Sequence, residues 1–215
     1  MDYFYSLQIF LLSLFQPSKL FEKINALPWY QGLLEEWVED NNLPEKSHVL
    51  EIGSATGALS HYLASKHKLV SVDRSAKMIK RAKEKHSYID FRVADALNLP
   101  FDDTVFDVVL ASSLINVVDN KQEALDEMLR VCKKDGKVML LFPLEGFDDD
   151  DLLKLGSKME LKGFSKMALA MWHKLAKKMS LESLELLLKE SNFKILSTQT
   201  YLGGMVAGVV VEAHV

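Results

Sequence analysis

Hydrophobic positions recur at two different intervals along this chain. Near its start, Leu7, Phe10, Leu11, Leu14 and Phe15 lie at helical spacing within Tyr3–Phe15. Ile9 and Leu12 fall off that face, so the helix is apolar nearly all round. A second helix is predicted over Trp29–Asp40, and Pro44 marks a boundary after it. From His48 onward, short apolar runs alternate with amphipathic ones. Residues 49–52, 69–72, 89–94, 106–111 and 137–142 read as strands. Residues 58–66, 76–85 and 121–133 read as helices, with Ser75 able to cap the second and Gly136 just past the third. Strands separated by helices of this length pair in parallel through right-handed crossovers. After Phe142 the rhythm changes. Residues 148–179 are mostly helical, 181–190 form a further helix, and strands 193–202 and 205–215 meet at Gly203-Gly204, a hairpin signal. The expected fold is α/β: a doubly wound, mostly parallel sheet of seven strands, closed by an antiparallel pair at one edge.

Composition narrows the function classes. A length of 215 residues suits one domain, and a hydrophobic fraction of 48% is enough for a real core. The formal net charge is −4, so no global field gathers polyanions and nucleic acid is a poor partner. Cys132 is the only cysteine, which excludes an internal disulfide and cysteine-based zinc sites and suits a reducing, cytoplasmic setting. The histidines show no metal-ligand spacing, so no metal is expected. An acid at position 2 is unlike a secretory leader. The uncharged stretches Tyr3–Ser18 and Ile195–Val211 fall short of the ~20 apolar residues of a membrane helix, so no membrane contact is expected.

The chemistry concentrates at the turn after the first strand, Val49-Leu50-Glu51-Ile52-Gly53-Ser54-Ala55-Thr56-Gly57. Glycine there lets backbone approach a ligand closely, and the following helix offers free N–H groups. Asp73, at the end of the second strand, can accept two hydrogen bonds from a ribose diol. Together these point to a nucleoside-bearing cofactor at the carboxyl ends of parallel strands. A dinucleotide fingerprint would place glycine at 53, 55 and 58, but positions 55 and 58 are alanine. The spacing is instead Glu-x-Gly-x-x-x-Gly.

With that turn, the chain resembles the class I S-adenosylmethionine-dependent methyltransferases. Three further segments carry the resemblance: Val93-Ala94-Asp95-Ala96, Leu99-Pro100-Phe101-Asp102-Asp103 running on to Phe106-Asp107, and Arg130-Val131-Cys132-Lys133 leading to Gly136. The quinone-biosynthesis methyltransferases are similar in the Asn116-to-Asp119 stretch. The resemblance spans roughly residues 45 to 142 and the terminal hairpin, and it implies the strand order 3-2-1-4-5-7-6 with the seventh strand antiparallel. It implies S-adenosylmethionine as cofactor, held by Glu51, Gly53, Ser54, Ala55, Gly57, Asp73, Arg74, Asp95, Ala96 and Ser112. Asp95 would meet the adenine amino group, and Ser112 begins the loop beside the sulfonium. Ala55 stands where the family usually has glycine, tolerable if its φ is negative.

Residues 1–44 are expected to form a helical lid on a methyltransferase domain of residues 45–215, with the helical insert 148–179 as the other half of the lid. Phe10, Phe15, Trp29, Tyr30, Phe164, Met167 and Trp172 would make the acceptor pocket apolar, with Tyr30, Asn116 and Trp172 touching the acceptor. A small, partly hydrophobic acceptor is expected, methylated by in-line displacement. Two alternatives stand beside this: a nicotinamide-dependent oxidoreductase, and a non-catalytic module that binds S-adenosylmethionine and acts through a protein partner. A strip of lysines, Lys154, Lys158, Lys162 and Lys166, would run down one helical face unless Gly156 or Gly163 breaks it. The sequence assigns no catalytic side chain, acceptor atom or oligomeric state.

Overall fold

The computed structural model describes residues 2–190 and 193–213. Its centre is a sheet of strands β1 (His48–Ile52), β2 (Lys68–Asp73), β3 (Asp90–Val93), β4 (Phe106–Ser112), β5 (Cys132–Pro143), β6 (Phe193–Tyr201) and β7 (Val206–Ala213). Their spatial order is β3-β2-β1-β4-β5-β7-β6. The first five pair in parallel, and β7 runs antiparallel to both β5 and β6. This is the expected architecture. Val49 of β1 faces one apolar cluster, while Leu50 and Ile52 face the other. The same alternation along β4 and β5 explains why these strands read as continuous apolar runs: a parallel sheet is covered on both faces.

One face is covered by α1 (Asp2–Phe15), α2 (Pro17–Asn25), α3 (Pro28–Asp40), α4 (Ala58–Ala64), α5 (Ala76–Lys85) and α8 (Gly163–Leu175), the other by α6 (Lys121–Val131) and α9 (Leu181–Glu190). Ser75 caps α5 as its position suggests, its Oγ accepting from the Met78 amide at 3.3 Å. Trp37 of α3 is fully buried against β7. A Cβ at Gly208 would lie 2.8 Å from the Tyr201 ring and 2.9 Å from the indole of Trp37. Glycine there lets α3 settle onto the sheet.

Three details depart from the sequence reading. Helix α2 is not separately delimited by the sequence reading, which has only a helical segment over 1–44; Leu20, Phe21 and Ile24 give it an apolar face, and Pro17 at its first turn starts it. The insert is two helices, α7 (Asp149–Lys158) and α8, separated by 159–162, with Glu160 and Gly163 in left-handed conformations. The lysine strip is therefore broken between Lys158 and Lys162. The third amphipathic helix ends at Val131 rather than 133, and Cys132 already pairs with Phe106 in the sheet. His214 and the last expected strand residue lie outside the described residues.

Candidate functional site

The turn from β1 into α4 is fastened to the end of β2. The amides of Gly53 and Ser54 both donate to the Val72 carbonyl, at 2.8 and 3.0 Å. The Asp73 carboxylate accepts from the Ala55 amide at 2.9 Å and, through its other oxygen, from the Ser75 amide at 2.8 Å. One carboxylate thus ties two loops together at the carboxyl edge of the sheet. Capture of its amide by Asp73 accompanies a left-handed Ala55, with φ of +48°. The negative φ that would make alanine easily tolerated there is not adopted. Gly57 also has positive φ, and a Cβ on it would come within 2.8 Å of the Phe91 ring. Its glycine answers packing against β3.

Two adjoining cavities, of about 290 and 390 Å³, open along this edge and share Gly53, Asp73, Arg74, Leu114 and Val117. The first lobe is lined by Glu51, Ser54, Ala55, Ser112 and Ser113 on the sheet side and by Phe21, Asn25, Tyr30 and Leu34 from α2 and α3. The second takes in Ala94, Asp95, Ala96 and Leu97 after β3, with Asp119 and Lys177. Of the residues singled out in the sequence, Glu51, Gly53, Ser54, Ala55, Asp73, Arg74, Asp95, Ala96, Ser112 and Tyr30 all meet on this one trough. Gly57, Asn116 and Trp172 line neither lobe. The Asn116 amide donates instead to the Lys177 carbonyl at 2.8 Å, tying the loop after β4 to the end of the insert. Trp172 packs edge-on against Trp29 and Tyr30, with centroids 6.0 and 6.2 Å apart, behind the Tyr30 ring.

The expected lid is also redistributed. No residue of α7 or α8 lines either lobe, and Phe15 is exposed. The N-terminal half contributes Phe21, Asn25, Tyr30 and Leu34, of which the sequence had singled out only Tyr30. Asn25 carried no signal, since it sits on the unrecognised helix α2.

The floor of the first lobe carries buried polar side chains. Glu51 is buried and accepts from the hydroxyls of Ser60 and Ser71, the latter at 2.7 Å. Burial pushes its carboxyl up to about 7 against the pull of those two hydroxyls, and the Asp73 charge adds to the rise. Burial likewise pushes the Tyr30 phenol up to about 12, although the Ser112 hydroxyl stabilises its ionised form. Asn25 is buried, and its Oδ1 has no hydrogen-bond partner among the described residues. A buried acceptor left open in a cleft invites a donor from a ligand.

The Leu-Pro-Phe motif proves to be architectural. The Arg130 guanidinium donates to the carbonyls of Leu99 and Phe101 at 3.0 and 2.7 Å, and to Asp103 and Glu127. Glu127 in turn accepts from the Leu99 amide at 2.6 Å. The two motifs found far apart in the sequence are one staple, which holds the segment between β3 and β4. Among the described residues, no group of three or more His, Cys, Asp or Glu side chains gathers as a metal site. No helix there is long and apolar enough to cross a membrane.

Comparison with known proteins bears on the domain and the fold. Residues 50–140 match the methyltransferase domain family. The chain is 34% identical over 99 residues to a phosphatidylethanolamine N-methyltransferase of Cereibacter sphaeroides, covering 43% of this chain and 49% of that protein. It is 39% identical over 93 residues to a demethylmenaquinone methyltransferase of Renibacterium salmoninarum, covering 43% and 39%. The chain thus spans less than half the length of these curated relatives. A SAM-dependent methyltransferase from Aquifex aeolicus superposes with a TM-score of 0.71 at 18% identity, covering 93% of this chain and all of that one. The chain thus has the fold of S-adenosylmethionine-dependent methyltransferases of known structure, and its segment 50–140 is similar to the methyltransferase domain family.

Proposed function

We propose that this protein transfers a methyl group from S-adenosylmethionine to a small, partly hydrophobic acceptor by in-line displacement. The observation that carries this reading is the shape of the trough: a polar lobe over the ends of β2 and β3 continues into a lobe walled by Phe21, Tyr30 and Leu34. The residues present fit the cofactor. Asp73 and Asp95 offer carboxylate acceptors on the lobe suited to a nucleoside, and Gly53 keeps the floor open, a Cβ there already being 3.4 Å from Leu114. When bound, the cofactor supplies a methyl group on a positively charged sulfur with a neutral leaving group.

The chain's own part is to position and to exclude water. Tyr30 stays protonated at neutral pH and can donate a hydrogen bond, while Asn25 Oδ1 can accept one from an N–H or O–H of the acceptor. Leu34, Phe21 and Val117 give the acceptor apolar walls to pack against. Orientation of this kind is worth up to roughly 7–11 kcal/mol of barrier in well-aligned systems. Phosphatidylethanolamine N-methyltransferase and demethylmenaquinone methyltransferase among the relatives support an acceptor with apolar parts. The test is a metabolite screen with isotopically labelled S-adenosylmethionine, joined to calorimetric titration. Label in a small apolar product, with S-adenosylmethionine and its demethylated product bound and NAD not bound, is expected. Preferred binding of NAD would overturn the reading.

A further inference from the structure

Helix α1 has apolar residues on both sides, yet only one side is packed. Ile9 is buried toward α8, and Tyr5 packs against Gly163, where a Cβ would stand 3.1 Å from the ring. On the opposite face, Leu7, Leu11, Leu14 and Phe15 recur at i, i+4, i+7 and i+8. Leu14 is 58% exposed and Phe15 74%. Phe21 of α2, also exposed, extends this apolar surface to the first lobe of the trough, which it lines. An exposed apolar patch of this kind on a folded chain marks an interaction site.

The charge around the patch indicates the partner. Lys19 and Lys23 on α2 are exposed, and Lys23 lies over the Phe164 ring of α8 at 5.7 Å. Lys162, Lys166 and Lys174 on or beside α8 are exposed as well, and residues 161–175 contain no acid. Glu22, the one acid of α2, is spent on Arg81 at 3.0 Å and Lys85 at 3.8 Å. In a chain of net charge −4, exposed lysines thus stand on α2 and α8, the two helices that pack on α1. At fourteen residues α1 is too short to span a bilayer, so it would lie flat in the interface.

We propose that the exposed face of α1, ringed by the lysines of α2 and α8, docks this protein on the surface of a bilayer containing anionic lipid, with the mouth of the trough beside the membrane. Apolar side chains enter the acyl boundary while the ammonium groups meet lipid phosphates. This replaces the expectation of no membrane contact.

The test is co-sedimentation of the full chain with phosphatidylcholine vesicles, with and without phosphatidylglycerol, free of cofactor and acceptor. It therefore reads docking independently of methyl transfer. Binding is expected to the mixed vesicles, to fall with added salt, and to be at least about tenfold weaker to the neutral ones. Leu11→Glu with Phe15→Glu is expected to weaken binding by about tenfold or more, with an unchanged melting curve because both side chains are exposed. Lys162→Ala and Lys166→Ala should each weaken it about fivefold. Failure to sediment with mixed vesicles overturns the proposal. So does a double glutamate variant that still sediments, or one whose only change is loss of a concentration-dependent dimer, which would make the face a contact between copies.

Discussion

Asp73 serves two ends with one carboxylate. In the structure both its oxygens accept backbone amides, from Ala55 and Ser75, and it also lines both lobes of the trough. Asp73→Ala is therefore expected to weaken S-adenosylmethionine binding by about 1.5–3 kcal/mol, the usual worth of a hydrogen bond to a charged group. It should also lower the melting temperature, because the left-handed Ala55 loses the bond that holds it. Calorimetric titration and thermal melts read the two effects apart. Glu51 gives a pH signature. Its folded-state pKa, pushed up to about 7 from an ordinary 4.5, means the folded chain keeps a proton that the unfolded chain has lost in that window. Stability contributed by this group is present below about pH 4.5 and is lost as pH rises toward 7. Glu51→Gln should flatten that dependence and, above pH 7, leave the chain more stable by on the order of 2–3 kcal/mol. Urea titrations across this pH range check it.

At the scale of elements, the joint between α3 and the terminal hairpin is the tightest test. Gly208 of β7 sits under Trp37, with Tyr201 on its other side. Gly208→Ala forces a methyl group into contacts of 2.8 and 2.9 Å. It should cost about 1–3 kcal/mol, as overpacking of a dense core does, measured as a lower urea midpoint. The same joint shows why pattern alone does not place the N-terminal helices. Periodicity reports that a helix has an apolar face but not which surface that face meets. Helix α3 buries Trp37 and Val38 on the sheet while Tyr30 and Leu34 reach the trough. It is both a cover for the sheet and a wall of the site.

For the molecule as a whole, the helices before β1 are part of the core. Ile9, Leu20, Ile24, Trp29, Tyr30, Leu33 and Trp37 are all buried in the cluster on that face of the sheet. A chain beginning at residue 31 is expected to lose both turnover and cooperative unfolding, followed by circular dichroism on heating. A removable lid would lose turnover alone. The insert contributes by bracing: α8 supports α1 and the Trp29–Tyr30 pair, and Asn116 anchors the end of the insert through the Lys177 carbonyl.

What the sequence determined by itself was the sheet and the edge of the site that belongs to it. Parallel strands buried on both faces must be apolar throughout, and the turns that follow them need particular residues, so Gly53 and Asp73 were legible from short-range pattern, while Asp95 came with the family resemblance. Glu51 came with that resemblance too. The opposite wall takes shape only when the chain folds. Phe21, Asn25 and Leu34 come from helices that are distant in sequence, and nothing local distinguishes a helix residue that lines a cleft from one that fills a core. Folding likewise joins the Leu99–Phe101 loop and the end of α6 in one Arg130 staple, sets Gly57 against Phe91, and leaves one apolar face of α1 uncovered. Each depends on which surfaces meet, and that is set by packing over the whole chain.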